Sequence, residues 1–128
     1  MRGILKIIIT ISCVFILVFA SGIFYLSRGL SEGMNIGING INISDLNDGI
    51  YSGKYNAGRW SNQLNVTVRD HKIIKINIED DVTFAKSSVS DELFNKVIEA
   101  QNTKTDVISQ ATVTSKAYLK SIEDALNN

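Results

Sequence analysis

In 128 residues the chain has one cysteine, one histidine and no proline. A lone Cys13 excludes an internal disulfide. A single His71 with no second cysteine or histidine leaves no metal-ligand spacing. It also leaves no convincing Ser-His-Asp or Cys-His set for nucleophilic catalysis. Charge of one sign is missing too, since 13 Lys and Arg face 13 Asp and Glu. That balance removes the basic face on which nucleic-acid binding depends, so no nucleic-acid partner is expected. No internal repeat is visible. What is present has globular composition, 45% apolar and 20% charged, and its length suits one domain with a short appendage.

The appendage is N-terminal. Ile7 to Leu26 reads IIITISCVFILVFASGIFYL with no charge, about 20 residues and so about 30 Å as a helix, the hydrocarbon thickness of a bilayer. Arg2, Lys6 and the amino terminus precede it, while Arg28 and Glu32 roughly cancel after it. The positive-inside rule then predicts a cytoplasmic N-terminus and an extracytoplasmic remainder. A competing reading is a cleaved signal peptide ending at Val18-Phe19-Ala20. The apolar run continues through Ile23-Phe24-Tyr25-Leu26, which favours an uncleaved single-pass anchor. Either reading exports the remainder. Cys13 as a lipoprotein cysteine is disfavoured, because the apolar stretch before it is shorter than the usual h-region of about 7–15 residues. Three of the 13 basic residues lie in or beside the anchor, leaving ten against 13 acidic ones beyond it, a net charge of −3.

The expected organisation is an anchor over residues 1–28, a flexible linker rich in Gly, Ser and Asn over 29–47, and a domain over 48–128. Ile50 to Tyr55 has strand composition, with Tyr51 and Tyr55 on one face. Leu64, Val66 and Val68 alternate with Asn65, Thr67 and Arg69. Ile74, Ile76 and Ile78 alternate with Lys75, Asn77 and Glu79. The two runs form a hairpin closed at Asp70-His71, where His71 needs a left-handed backbone. Ser88 and Asp91 match a capping box. Behind them Val89, Leu93, Val97 and Ala100 recur at helical spacing, widened by Phe94 and Ile98, with Glu92 and Lys96 paired at i,i+4 on the outer face. A second helix is predicted from about Thr114 to Leu126, burying Tyr118 or Leu119, Ile122, Ala125 and Leu126. The fold class is α+β, a small antiparallel sheet packed with two helices and preceded by one transmembrane helix.

Between the helices lies Asp106-Val107-Ile108-Ser109-Gln110-Ala111-Thr112-Val113-Thr114-Ser115-Lys116. It feeds a run of hydroxyls into a helix N-terminus, where free N–H groups and the helix dipole favour phosphate. Lys116 adds a cation in the first turn. The plainer reading is helix capping by Thr114 or Ser115.

DVISQATVTSKAYLKSIEDAL resembles the C-terminal signature of the FMN-binding domain family, which includes the flavin-bearing subunits of sodium-pumping quinone reductases and related electron-transport complexes. The family pattern is D-x-x-S/T-G-A-T-x-T-S. DGIYSGKY resembles the family's opening strand, LNVTVRDHKIIKINI its hairpin, and LFNKVIEAQNTKTDVIS its helix and the approach to the motif. Several segments in family order are a stronger signal than one short motif. The resemblance implies that a flavin transferase joins FMN through its phosphate to Thr112. It implies that Asp106, Ser109, Ala111 and Thr112 form the transferase recognition pattern. It also implies that Ser109, Gln110, Ala111, Thr112, Thr114 and Ser115 are the cofactor-binding residues. Gln110 departs from the pattern, standing where the family has glycine, a residue that eases an unusual backbone angle. A second departure is the loop Asp80 to Ser87, DDVTFAKS, whose residues take no assigned role.

Trp60 can stack on an isoalloxazine, although a lone Trp is more often a core edge or surface anchor. Asp80 and Asp81 point to opposite faces of an extended chain and read as a solvated turn. His71 reads as surface. The resemblance implies a redox carrier rather than an enzyme, with Thr112 a tether and not a catalytic nucleophile. Its partners are then the flavin transferase, the membrane, and membrane or extracellular redox proteins. Two other readings stay open: a non-covalent FMN-binding module, and a flavin-free membrane-anchored interaction domain.

Overall fold

The computed structural model describes residues 1–127. Helix α1 (Arg2–Ser27) carries the apolar run, and its large side chains, with Cys13, are all exposed. It is long and apolar enough to cross a membrane. A short α2 (Leu30–Asn35) follows. The domain then forms from β1 (Gly49–Tyr55), β2 (Asn62–Arg69), β3 (Lys72–Asp80), α3 (Ser87–Ala100) and α4 (Thr112–Asn127). The sheet is antiparallel in the order β1-β2-β3. The expected α+β class and N-terminal apolar helix are both present.

Period-two burial works as anticipated in β2, where Leu64, Val66 and Val68 are sealed from solvent and Gln63, Asn65 and Thr67 are not. The β2–β3 loop is Asp70-His71, with φ of 52° and 60°. Two positive values identify the type I′ turn that matches strand twist, so Asp70 shares the left-handed conformation expected of His71. In β3 the alternation departs from expectation. A register shift between Thr67 and Val68 pairs Thr67 with Lys75 but Val68 with Ile73, making Ile74 the extra residue of a bulge. A one-residue slip exchanges the faces. Ile73 is therefore buried and Ile74 is 48% exposed, the reverse of the reading that put Ile74 in the core. Gln101, which ends α3 in the left-handed region, braces the bulge. Its Oε1 accepts from Ile73 N–H at 2.7 Å and its Nε2 donates to Ile73 O at 3.0 Å.

Helix α3 buries Leu93, Phe94 and Val97, with Val89 and Ile98 half-buried, while Ala100 is exposed. The Ser88–Asp91 capping box is not formed. The helix starts at Ser87 with Lys86 as its cap residue and no side-chain cap hydrogen bond. Lys96 and Glu92 approach to 4.0 Å, a surface pair of little energetic weight.

Helix α4 is the central strut. It begins at Thr112, two residues before the predicted Thr114, and buries both Tyr118 and Leu119 along with Ile122, Ala125 and Leu126. It crosses β1 at Gly53 so closely that a Cβ there would stand 2.0 Å from Ser121 O and 2.5 Å from Ala125 N. Ser121 Oγ donates to Asn62 Oδ1 at 2.6 Å, and Lys54 N–H donates to Asp124 Oδ2 at 3.0 Å. The helix is thereby hydrogen-bonded to the sheet as well as packed on it.

Part of the stretch expected to act as a flexible linker lies on this body. Ile38, Ile41, Ile43 and Leu46 pack against the core. Buried Glu123 clasps the same segment: its Oε1 accepts from Asn39 N–H at 2.8 Å, Gly40 N–H at 2.9 Å and Thr103 Oγ1 at 3.1 Å. Lys120 supplies the charge partner at 2.8 Å. A buried carboxylate with this many donors is the condition under which burying a charge becomes tolerable.

Candidate functional site

Residues Ile108 to Ala111 form a tight turn, with Ala111 N–H donating to Ile108 O at 2.9 Å. Its third residue is Gln110, with φ of 65°. Type II turns reserve that position for glycine. Holding an L-residue in the left-handed region costs roughly 1–2 kcal/mol. Gln110 thus occupies the conformation that a glycine would adopt without strain.

Ser115 holds the turn in place. It is wholly buried, its Oγ accepts from Ile108 N–H at 3.1 Å, and its own N–H donates to Ala111 O at 2.8 Å. The hydroxyl expected near a phosphate therefore braces the turn from below. Lys116, also expected near the phosphate, donates instead to Met34 O of α2 at 2.9 Å. Thr112 stands exposed as the first residue of α4, and Thr114 is half-buried beside it. The helix start leaves the backbone N–H groups of its first turn without intrahelical acceptors.

The turn forms one wall of a cavity of about 520 Å3, inside the range of about 300–1,000 Å3 common for small-molecule sites. Of the predicted residues, Ser109, Gln110, Ala111 and Thr114 line it. Thr112, Ser115 and Asp106 are not among its lining residues: Thr112 is exposed between Ala111 and Thr114, Ser115 is buried, and Asp106 is exposed upstream. The lining is completed by the 3-10 turn Gly58–Trp60 and the loop after β3, through Arg59, Trp60, Val82 and Phe84, and by Val89 and Glu92 of α3. Trp60 is only 4% exposed, so it is at once a core residue and a wall of the cavity.

Arg59 and Phe84 are functional candidates that sequence reasoning did not single out. The Arg59 guanidinium sits 4.2 Å from the Trp60 ring centroid and 5.3 Å from that of Phe84. Phe84 is 59% exposed, a lone aromatic in the polar DDVTFAKS loop, and that was the available signal. The base of this loop is pinned. Thr83 N–H donates to Arg59 O at 2.9 Å, and Asp81 accepts hydrogen bonds from the Tyr118 hydroxyl and from Val82 N–H. Asp81 is thus a bonded loop anchor rather than part of a merely solvated turn. Burial first, then the bond to Asp81 and its charge, push the Tyr118 phenol well above its ordinary value.

The donor set fits a flavin mononucleotide. Hydroxyls and a helix N-terminus suit its phosphate, aromatic and aliphatic walls suit its ring, and Arg59 Nε is buried without a hydrogen-bond partner among the described residues. No group of His, Cys, Asp and Glu able to hold a metal ion occurs among the described residues.

This combination defines a flavin-nucleotide-binding module behind a membrane-length helix. Residues 58–127 match the family model described as the FMN-binding domain. The chain belongs to that family, and FMN is its cofactor. The match covers more than half of the chain and takes in the 3-10 turn, β2, β3, α3 and α4. No curated protein matches the chain.

Proposed function

We propose that this chain is a membrane-anchored, extracytoplasmic electron carrier whose FMN is held by a phosphoester on Thr112. The observation that carries the reading is the position of Thr112. It is an exposed residue that opens α4, next in sequence to Ala111, which lines a cavity together with Ser109, Gln110 and Thr114. An exposed hydroxyl is open to a flavin transferase, and the product phosphate would meet the N–H groups and dipole of the helix start. Outside the cytoplasm a dissociable nucleotide is lost by dilution; a covalent tether prevents that loss.

FMN, when bound, supplies one- or two-electron chemistry; the protein supplies position and electrostatics. Ser109 and Thr114 would hold the phosphate end. Trp60, Val82, Phe84, Ile108 and Ala111 would exclude water from the ring. The basic start at Arg2 and Lys6 supports an N-terminus on the cytoplasmic side, and the membrane helix would keep the flavin near membrane or extracellular redox partners.

The test is a denaturing gel viewed for flavin fluorescence after co-production with a flavin transferase. A fluorescent band that Thr112→Val abolishes supports the tether. Yellow native protein with a dark denatured band indicates non-covalent FMN, the reading that strain at Gln110 favours. Colourless protein indicates a flavin-free interaction domain and ends the proposal. Protease added outside intact cells should reach the domain but leave α1 protected.

A further inference from the structure

Arg59 is an unusual cation. Its Nε is buried and unpartnered, and no carboxylate lies within salt-bridge distance of it among the described residues. Its guanidinium is flanked by Trp60 at 4.2 Å and Phe84 at 5.3 Å. Cation–π contact of this kind partly compensates desolvation, but it leaves the positive charge unneutralised. Lys86 and Glu92, the other charged residues lining the cavity, are both exposed and opposite in sign. Arg59 is therefore the one part-buried charge in the cavity wall.

Two parts of FMN can take a cation, the phosphate and the ring. The phosphate end already has its donors at the start of α4, whereas Arg59 belongs to a different element, the 3-10 turn Gly58–Trp60. Arg59 is accompanied by the Trp60 and Phe84 rings, aromatic neighbours that suit a planar ring system. An isoalloxazine reduced at neutral pH takes up two electrons and one proton, and so gains one negative charge. A fixed cation in a partly dry wall interacts more strongly with that charge than one in water does.

Resting on the assignment of this cavity to FMN, we infer that Arg59 contacts the isoalloxazine and stabilises its reduced, anionic form, setting the potential of the carrier. The residue touches the ring rather than the tether, so its removal leaves attachment intact. Arg59→Lys restores charge but not the planar guanidinium beside the two rings.

The experiment uses the full chain in detergent, flavinylated by a transferase and titrated with dithionite against reference dyes. Arg59→Gln should keep its covalent flavin and lose at least tenfold in preference for reduced over oxidised flavin. That is a downward shift of about 30 mV for a two-electron couple. Arg59→Lys should recover most of the shift. Should Arg59→Gln fail to accumulate, Arg59→Met keeps the aliphatic stem and carries the same expectation. Trp60 is the only tryptophan in the chain, so its fluorescence reports whether the ring lies in this cavity. It should be quenched in the flavinylated parent and in Arg59→Gln alike. Unquenched Trp60 in a flavinylated parent overturns the inference while leaving the Thr112 tether standing. So does an unchanged potential in Arg59→Gln, or a loss of flavin incorporation without a change in potential, which would assign Arg59 to the phosphate. A parent chain carrying no flavin at all defeats the underlying assignment instead.

Discussion

Thr112 and Ser115 are small hydroxyl residues less than one turn apart on α4, yet the first is exposed and the second wholly buried. The start of the helix, with the turn before it, carries an accessible hydroxyl and one residue in a strained backbone conformation. The rest of the helix, from Ser115 to Leu126, is packed on the sheet and tied down by Ser121, Glu123 and Asp124. One helix thus supplies an exposed end and a packed body. The contrast teaches that an exposed end can be positioned by a body packed and hydrogen-bonded to the sheet, which is how precise sites are usually built.

Substitutions that separate the two regions should differ sharply. The largest expected effect on the body is at Gly53, where a Cβ would run into the backbone of α4. Gly53→Ala should cost more than about 3 kcal/mol, beyond ordinary overpacking, as measured by urea unfolding of the detergent-solubilised chain. A mild loss would mean that α4 can slide along β1. Next comes Ser115→Ala, which strips the acceptor from the buried Ile108 N–H. An unsatisfied buried donor costs about 1–3 kcal/mol, and because the turn loses its brace, flavin incorporation should slow as well. Normal incorporation would show that the turn is set by other contacts.

Gln110→Gly should act in the opposite direction. It relieves the left-handed strain, raising stability by up to about 1 kcal/mol after the entropic cost of glycine is offset, and it should speed flavin attachment. The smallest effect is pH-dependent. The Tyr118 phenol is raised above its ordinary value of 10.0 in the folded chain. The unfolded chain therefore releases this proton first as pH rises. The resulting stability is fully present below about pH 10 and declines above it. Tyr118→Phe should flatten the fall in melting temperature between about pH 9 and 11.

How far the fold was legible follows the same division. In β2 each apolar residue faces one way, so period two sufficed. In β3 the adjacent Ile73 and Ile74 are chemically identical, and only the bulge decides which is buried. The glycine- and asparagine-rich composition of residues 36–47 hid Ile38, Ile41, Ile43 and Leu46, whose burial depends on the clasp made by Glu123 from far along the chain. The turn and helix start were readable because Ser109, Gln110, Ala111 and Thr114 of the cavity lining lie in one short stretch, and the positive φ at Gln110 was foreshadowed by the glycine it replaces. Arg59 and Phe84 were not readable. They meet the motif only through the pairing of β2 with β3 and the return of α4, a juxtaposition that no local pattern encodes.

The most direct measurement is the intact mass, under denaturing conditions, of the full chain co-produced with a flavin transferase, with the modified peptide mapped by fragmentation. The expected result is a gain equal to one FMN less one water, located on Thr112 and absent from Thr112→Val, which otherwise unfolds within about 0.5 kcal/mol of the parent. An unmodified mass alongside active transferase, or the same gain located on another residue, would contradict the assignment of Thr112 as the tether.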